Sequence, residues 1–216
     1  MSKKSGVPKG QPSSNGFLMA FLDPPANEED ELHAWYDLEH VPERAAIEGF
    51  HTAERYVCLE GWPRYMAFYD LASRDVMQSE AYRAIAGANF SPWSKRIVQL
   101  VRGWLRIDGD QIYPGGVRTG AKGTPLRLAV IRMRGVEAKH VDKLADMVGA
   151  FLHDVKGVLQ FRLLKSVGGG IAGDIYAVVE FSRPVTLDSL DWERLKLPSG
   201  AVDMANLYTR YWRRED

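Results

Sequence analysis

Four consecutive residues, Asp37-Leu38-Glu39-His40, bring two carboxylates and an imidazole within one turn of a predicted helix. A histidine beside a carboxylate in a cleft exchanges protons near neutral pH, the elementary requirement of general acid or base catalysis. On a helical wheel Leu32, Trp35 and Leu38 define an apolar stripe, and His33, Asp37 and His40 share the opposite face. Glu39 falls on the stripe, where an ionised carboxylate is costly unless it is paired or given a task. His40 and Glu39 are therefore the candidate catalytic pair, His40 moving the proton and Glu39 orienting the imidazole. A solvated face and a histidine that merely caps the last turn are the plain alternatives. Two imidazoles and a carboxylate at His33, Asp37 and His40 could also be offered to a divalent cation. That face points away from the inferred core and has no Cys or second His-rich element behind it, so no metal is expected.

Aromatic residues are concentrated in the first half, among them Trp35, Tyr36, Tyr56, Trp62, Tyr65, Phe68, Tyr69, Tyr82, Phe90 and Trp93. Most should be core, but a few lining a pocket would suit a flat or hydrophobic ligand. Tyr36 or Tyr65 could hydrogen-bond a developing oxyanion, and Arg55 or His51 could hold an anionic group, with Asp37 beside them. These five are the candidate substrate-binding residues. No nucleophile-elbow motif is present, and Gly168-Gly169-Gly170 suits a hairpin loop better than a phosphate cradle.

The elements that must position these residues repeat. Phe17 to Leu22 reads as a strand stopped by Asp23-Pro24-Pro25, followed by a helix capped at Asn27 and reaching about His40, since Pro42 disfavours a helical Val41. Pro42 could start a second short turn. Phe50 to Glu60 and Arg64 to Leu71 read as a hairpin, Ser73 to Ile85 as a helix, and Lys95 to Ile107 as a long strand. Asp108 to Thr124, rich in Gly and Pro, reads as a connector. Beyond it come a strand from Leu126 to Met133, a helix from Glu137 to His153, strands from Val158 to Ser166 and Asp174 to Phe181, a short helical piece near Leu187 to Arg194, and a strand from Ala205 to Arg213.

Both halves thus follow the order βαββαβ. The expected fold class is α+β: tandem ferredoxin-like units, 16–107 and 125–216, joined by linker 108–124 into a pseudo-dimeric α/β barrel, with 1–15 a disordered tail. Such units hide their exposed apolar sheet faces against each other. Registering Gly49-Phe50 on Gly157-Val158 sets Asp37, Glu39 and His40 opposite Ala145, Met147 and Val148, so the second unit is degenerate and the site single.

The charge balance is neutral, 28 basic against 28 acidic side chains, so no net field attracts nucleic acid or an anionic membrane. No stretch reaches the roughly 18 apolar residues of a membrane span. The lone Cys58 reads as a packed thiol, and the chain as a cytoplasmic protein.

Trp35-Tyr-Asp-Leu-Glu-His-Val-Pro-Glu-Arg44, then Gly49-Phe50, Arg55-Tyr56 and Tyr65-Met-Ala-Phe-Tyr-Asp-Leu71, resembles the EthD-like group of the dimeric α/β-barrel superfamily over residues 16 to 107. The resemblance implies a ferredoxin-like fold, a dimeric or pseudo-dimeric assembly, and small aromatic or polyketide-like substrates handled without a bound organic cofactor. Carried over residue by residue, it selects Glu39 and His40 first, with Tyr36 and Asp37 as neighbours. The expected activity is that of a cofactor-independent lyase, a decarboxylase or dehydratase, acting on a small aromatic or conjugated acid or ketone. The alternatives are a noncatalytic small-ligand or haem-binding module, or a cofactor-free monooxygenase or isomerase. A homodimer of the fused barrel is a further expectation.

Overall fold

The computed structural model describes residues 15–136, 141–190, 195, 197 and 200–212. Eight strands, β1 (Gly16–Asp23), β2 (Glu54–Glu60), β3 (Tyr65–Leu71), β4 (Arg102–Tyr113), β5 (Arg127–Met133), β6 (Val158–Gly168), β7 (Ile175–Phe181) and β8 (Val202–Arg210), close into one barrel. Around the ring they run β1-β3-β2-β8-β5-β7-β6-β4, each neighbour antiparallel. Within each half the order is last, first, third, second strand, and the halves meet where β2 pairs with β8 and β4 with β6. The barrel of the α+β expectation is therefore present.

Alternation along the strands sorts the side chains into layers. Phe17, Met19 and Phe21 of β1 point inward, where they meet Leu128, Val130, Val178 and Tyr208 from the second half. Leu18, Ala20 and Leu22 point outward under the first-half helices. Ala129, Ile131 and Met133 of β5 point outward under α5 (Val141–Leu152), which buries Leu144, Ala145, Val148, Phe151 and Leu152.

The helical segments depart from the sequence reading in several places. Asn27 is not a cap: it sits within a 3-10 turn, Ala26–Glu28, that precedes α1 (Glu29–Trp35). The helix does not stop before Pro42 as expected: it passes through a π turn, Tyr36–His40, into α2 (Val41–Ala45), with Val41 itself helical at φ −66° and ψ −47°. Ser73 to Ile85 is two pieces, a 3-10 turn at Arg74–Gln78 and α3 (Glu80–Ala84), because the Ser79 hydroxyl accepts from the Tyr82 amide and starts a new helix. The largest correction is at Lys95 to Ile107. Ser91 caps and Pro92 opens α4 (Pro92–Leu100), and the strand begins only at Arg102.

Asp108 to Tyr113, read as connector, continue β4 and pair with β1 and β6. The expected start of the second helix at Glu137, its short piece at 191–194, and the end at Arg213 lie outside the described residues, as does the tail 1–14.

One end of the barrel is closed by charge. Arg162 of β6 is fully buried and donates through Nη1 to Asp70 of β3 at 2.5 Å, and through Nη2 to the Thr119 hydroxyl at 2.7 Å. Glu180 lies 3.7 Å from the same guanidinium. The connector completes the seal, since the Thr119 amide donates to Asp70 at 2.8 Å and the Gly120 amide to Glu180 at 3.0 Å. Burial alone would raise the Asp70 carboxyl, but Arg162 and Thr119 outweigh it and hold the group below its usual range. At Glu180 burial wins over Arg162, and the carboxyl is pushed up. Removing one member of a buried pair strands the other, so Arg162→Met should cost about 3–5 kcal/mol in urea unfolding. A loss below about 1 kcal/mol would make the pair dispensable.

Candidate functional site

The π turn decides where the predicted residues point. Its closing bond runs from the Val41 amide to the Tyr36 carbonyl, one residue farther than an α-helical bond. The extra residue rotates the chain, so Trp35 and Tyr36 are both buried and Leu38 stands 63% exposed rather than on the apolar stripe. Glu39 is turned towards α4. Its Oε1 accepts from Trp35 Nε1 at 3.1 Å, Ser91 Oγ at 2.6 Å and Ser94 Oγ at 2.9 Å. The misplaced carboxylate has thus found partners, at the positive end of a helix dipole. It joins the π turn to the start of α4.

His40 lies flat on Trp35, with ring centroids 4.2 Å apart, and meets the Tyr36 ring edge-on. Its Nδ1 is buried without a hydrogen-bond partner among the described residues. Burial, helped by the Arg44 charge, holds the imidazole well below its usual pKa, so it is neutral at physiological pH. Glu39 does not contact it through any hydrogen bond among the described residues.

Arg55 gathers the other candidates. It donates to Asp37 at 2.8 Å, sits 2.6 Å from His33 Nδ1, and lies between the rings of Tyr36 and Tyr211. Tyr65 packs edge-on against His33 and donates its hydroxyl to Glu29. Asp37 and Arg55 do line a recess of about 350 Å³ with Glu54, Arg210, Tyr211 and Trp212, but its charges are matched: Arg210 pairs with Glu54 at 2.6 Å. His51 is exposed and apart from them, its amide bonded to the Asp70 carbonyl. The structure therefore brings Tyr36, Asp37, Arg55 and Tyr65 together, and separates them from Glu39 and from His51.

A larger pocket, about 600 Å³, opens between β4 and the pieces that cover it. Met77, Tyr82, Phe90 and Trp104 give it apolar walls, and Arg106 and Asp108 lie on its floor. Trp104, Arg106 and Asp108 alternate along one face of β4, a spacing that would have exposed them had residues 108–113 been read as strand. Arg106 donates to Asp108 at 2.6 Å, to the Met77 sulfur at 3.2 Å and to the Tyr82 hydroxyl at 3.4 Å. Burial disfavours its cation, but Tyr82 and Asp108 outweigh burial and raise its pKa. Among the described residues no group of three or more His, Cys, Asp or Glu is placed to hold a metal ion.

No family model matches the chain, and no curated protein matches it. Solved structures do match its fold. An anthrone oxidase-like protein is similar with a TM-score of 0.63 at 12% identity, covering 93% of this chain and 92% of that one. A chlorite dismutase from Candidatus Nitrospira defluvii, in complex with imidazole, is similar with a TM-score of 0.58 at 14% identity over 93% and 92% of the two chains. A monooxygenase candidate from Lactobacillus acidophilus gives 0.55 at 12% identity over 92% and 94%. The chain has the dimeric α/β-barrel fold. Among the described residues no helix is long and apolar enough to cross a membrane.

Haem would need an axial His, Cys, Met or Tyr donor. No His or Cys lines the large pocket, and its Met77 sulfur and Tyr82 oxygen both take bonds from Arg106. The residues lining that pocket do not fit that group.

His33 offers a check on the Arg55 cluster. Burial, then the Arg55 charge, lower its pKa from 6.5 to about 4 against the pull of Asp37 and Asp30. The unfolded chain therefore binds the proton first, and stability from a neutral His33 is present above pH 6.5 and lost as pH falls towards 4. The stability difference between wild type and His33→Gln should be flat above pH 7 and shrink across that window in urea titrations. A difference independent of pH would remove His33 from the buried cluster.

Proposed function

We propose that the protein is a cofactor-independent enzyme that ionises a small planar aromatic acid or ketone in the first-half pocket, with Asp108 as the base. The observation that carries this reading is the pairing of apolar walls with one carboxylate held by one guanidinium. Arg106 fixes the Asp108 carboxylate and neutralises its surroundings. Asp108 takes a proton from a carbon conjugated with the substrate carbonyl, the C–H pair is delocalised onto the carbonyl oxygen, and an enolate forms. Loss of a β-hydroxyl as water and attack on dioxygen are routes open to such an anion, and loss of carbon dioxide from a carbonyl-activated acid would form the same kind of anion by breaking a C–C bond in place of the C–H bond. Likeness in fold to an anthrone oxidase-like protein and a monooxygenase candidate makes anthrone with dioxygen the first pair to test.

A second reading keeps the sequence-expected pair, His40 with Glu39, and Tyr36, Asp37, His51, Arg55 and Tyr65 as substrate contacts. The unpartnered Nδ1 of the neutral His40 favours it. Both readings take the halves as fused ferredoxin-like units whose second member has lost its site. Closure leaves no free sheet edge, so a homodimer would have to pair through outer faces, which sedimentation tests.

Oxygen uptake with anthrone, and mass loss of carbon dioxide or water from aromatic acids, separate the reactions. Asp108→Asn should cut turnover by roughly 100-fold or more with the fold kept, the scale of a lost general base. His40→Gln should stay within a few-fold of wild type. The reverse pattern would move the chemistry to the π turn.

A further inference from the structure

Three arginines are buried among the described residues, Arg44, Arg55 and Arg162. Arg55 has Asp37 at 2.8 Å and Arg162 has Asp70 at 2.5 Å. Arg44, on α2 and only 2% exposed, has no carboxylate within ion-pair distance among the described residues. Both its terminal nitrogens reach the Ile85 carbonyl, at 3.5 and 3.4 Å, and its Cζ lies 4.9 Å from the centre of the Tyr82 ring. Charge-assisted bonds are normally about 2.7–2.9 Å, so these are weak contacts for a permanent cation out of water.

A complementary group is orphaned nearby. The Tyr69 hydroxyl, on the outward face of β3, is buried with no hydrogen-bond partner. The Phe50 ring links the two, its centroid 5.7 Å from that of Tyr69 and 6.0 Å from that of Tyr82, over which Arg44 lies, and the Arg44 charge opposes the rise in the Tyr69 pKa that burial causes. Among the described residues a cation without an anion and an O–H without an acceptor lie in one layer between sheet and helices. An anionic oxygen placed between them would satisfy both.

That layer adjoins the pocket. Tyr82, part of the pocket wall, stands between two guanidiniums, Arg44 at its ring and Arg106 at its hydroxyl 3.4 Å away. Tyr82 contacts Arg44 and lines the pocket, which Arg44 does not, and it is held by a long bond to Arg106 on a helix of five residues.

We propose that Arg44 and Tyr69 form the receptor for the carboxylate of an aromatic acid whose ring occupies the adjoining pocket, with Tyr82 turning aside to admit it. This rests on the reading that the pocket takes a planar aromatic, and it narrows the substrate to acids.

The test compares 2-naphthoate with its neutral counterpart 2-naphthamide on the full chain, by calorimetry and by tryptophan fluorescence. Naphthoate should bind about tenfold or more tightly, the scale of a hydrogen bond to a charged group. Arg44→Met should bring the ratio near one without changing naphthamide affinity, and Tyr69→Phe should lower naphthoate affinity alone. The double variant Arg106→Met, Asp108→Asn should keep the ratio, since it removes the pair without stranding a charge in the pocket. Should Arg44→Met fail to fold, Arg44→Lys and Tyr69→Phe carry the comparison. A wild-type ratio near one, or a ratio lost in the Arg106→Met, Asp108→Asn double variant and kept in Arg44→Met, overturns the receptor and leaves the pocket standing. Binding of neither probe overturns the pocket reading, and iodide-soaked crystals then decide the receptor alone. An anomalous peak within about 4 Å of the Arg44 guanidinium sustains it, and none overturns it.

Discussion

The ion pair between Arg162 and Asp70 fixes the two halves of this chain in one geometry. Ninety-two residues separate them in sequence, one on a second-half strand and one on a first-half strand, and both are buried. Separating such charges in a low-dielectric interior is unfavourable, so any slip of β6 against the first-half sheet would leave a guanidinium without its partner. Thr119 and Gly120 add a directional constraint, because backbone amides donate only along fixed lines. The pair therefore ties strand register, barrel closure and the path of the connector together. A hydrophobic substitute of equal volume could match its stability, but not this dependence on a single register.

A barrel closed in this way is full. Phe17, Met19, Phe21, Phe68 and Tyr176 are buried in its interior, with charge at one end, and a ligand of any size has to sit outside the ring. The two outer faces then differ in what covers them. The second half presents the twelve-residue α5, whose buried side is Leu144, Ala145, Val148, Phe151 and Leu152, an aliphatic seal. The first half is covered by α-helical pieces of five to nine residues, 3-10 turns and a π turn, and these bring Trp35, Tyr36, Arg44 and Tyr82 against the sheet. Polar chemistry collects on the face whose cover is irregular.

The strands were legible because their signal is local. Phe17 to Leu22, the Arg64 to Leu71 arm of the hairpin around Gly61, and the β5 and β7 runs lie within one residue of their observed bounds, whereas β2 begins at Glu54, four residues after the expected Phe50. Glu39 was also legible as an anomaly, since a carboxylate among apolar positions must be paired. The identity of its partners was not, because Ser91 and Ser94 come from an element more than fifty residues away. Leu38 was misplaced for a definite reason: a wheel at fixed pitch cannot anticipate a π turn. Helix α4 was lost because Ile97, Val98 and Leu100 fit either period over so short a run, and the Ser91-Pro92 start was passed over. Asp108-Gly109-Asp110 has the composition of a turn, yet Gly109 serves close packing. A Cβ there would lie 1.9 Å from the Lys165 carbonyl, so the glycine is what lets β4 and β6 approach. Misreading that stretch hid Arg106 and Asp108.

The same irregular cover sets where a ligand can pass. Helices this short do not sustain themselves, since nucleation costs more than a single turn returns. The five residues of α3 and the 3-10 turns on either side depend on anchors, Met77 and Tyr82, that reach the core from them. Local opening draws on the segments with the fewest such anchors. The twelve-residue α5 has five buried side chains to lose and α3 has one. Displacing Tyr82 thus costs less than opening the opposite face. In the proposed receptor it also brings the cation of Arg44, which has no carboxylate partner among the described residues, to the edge of a pocket lined with aromatic rings.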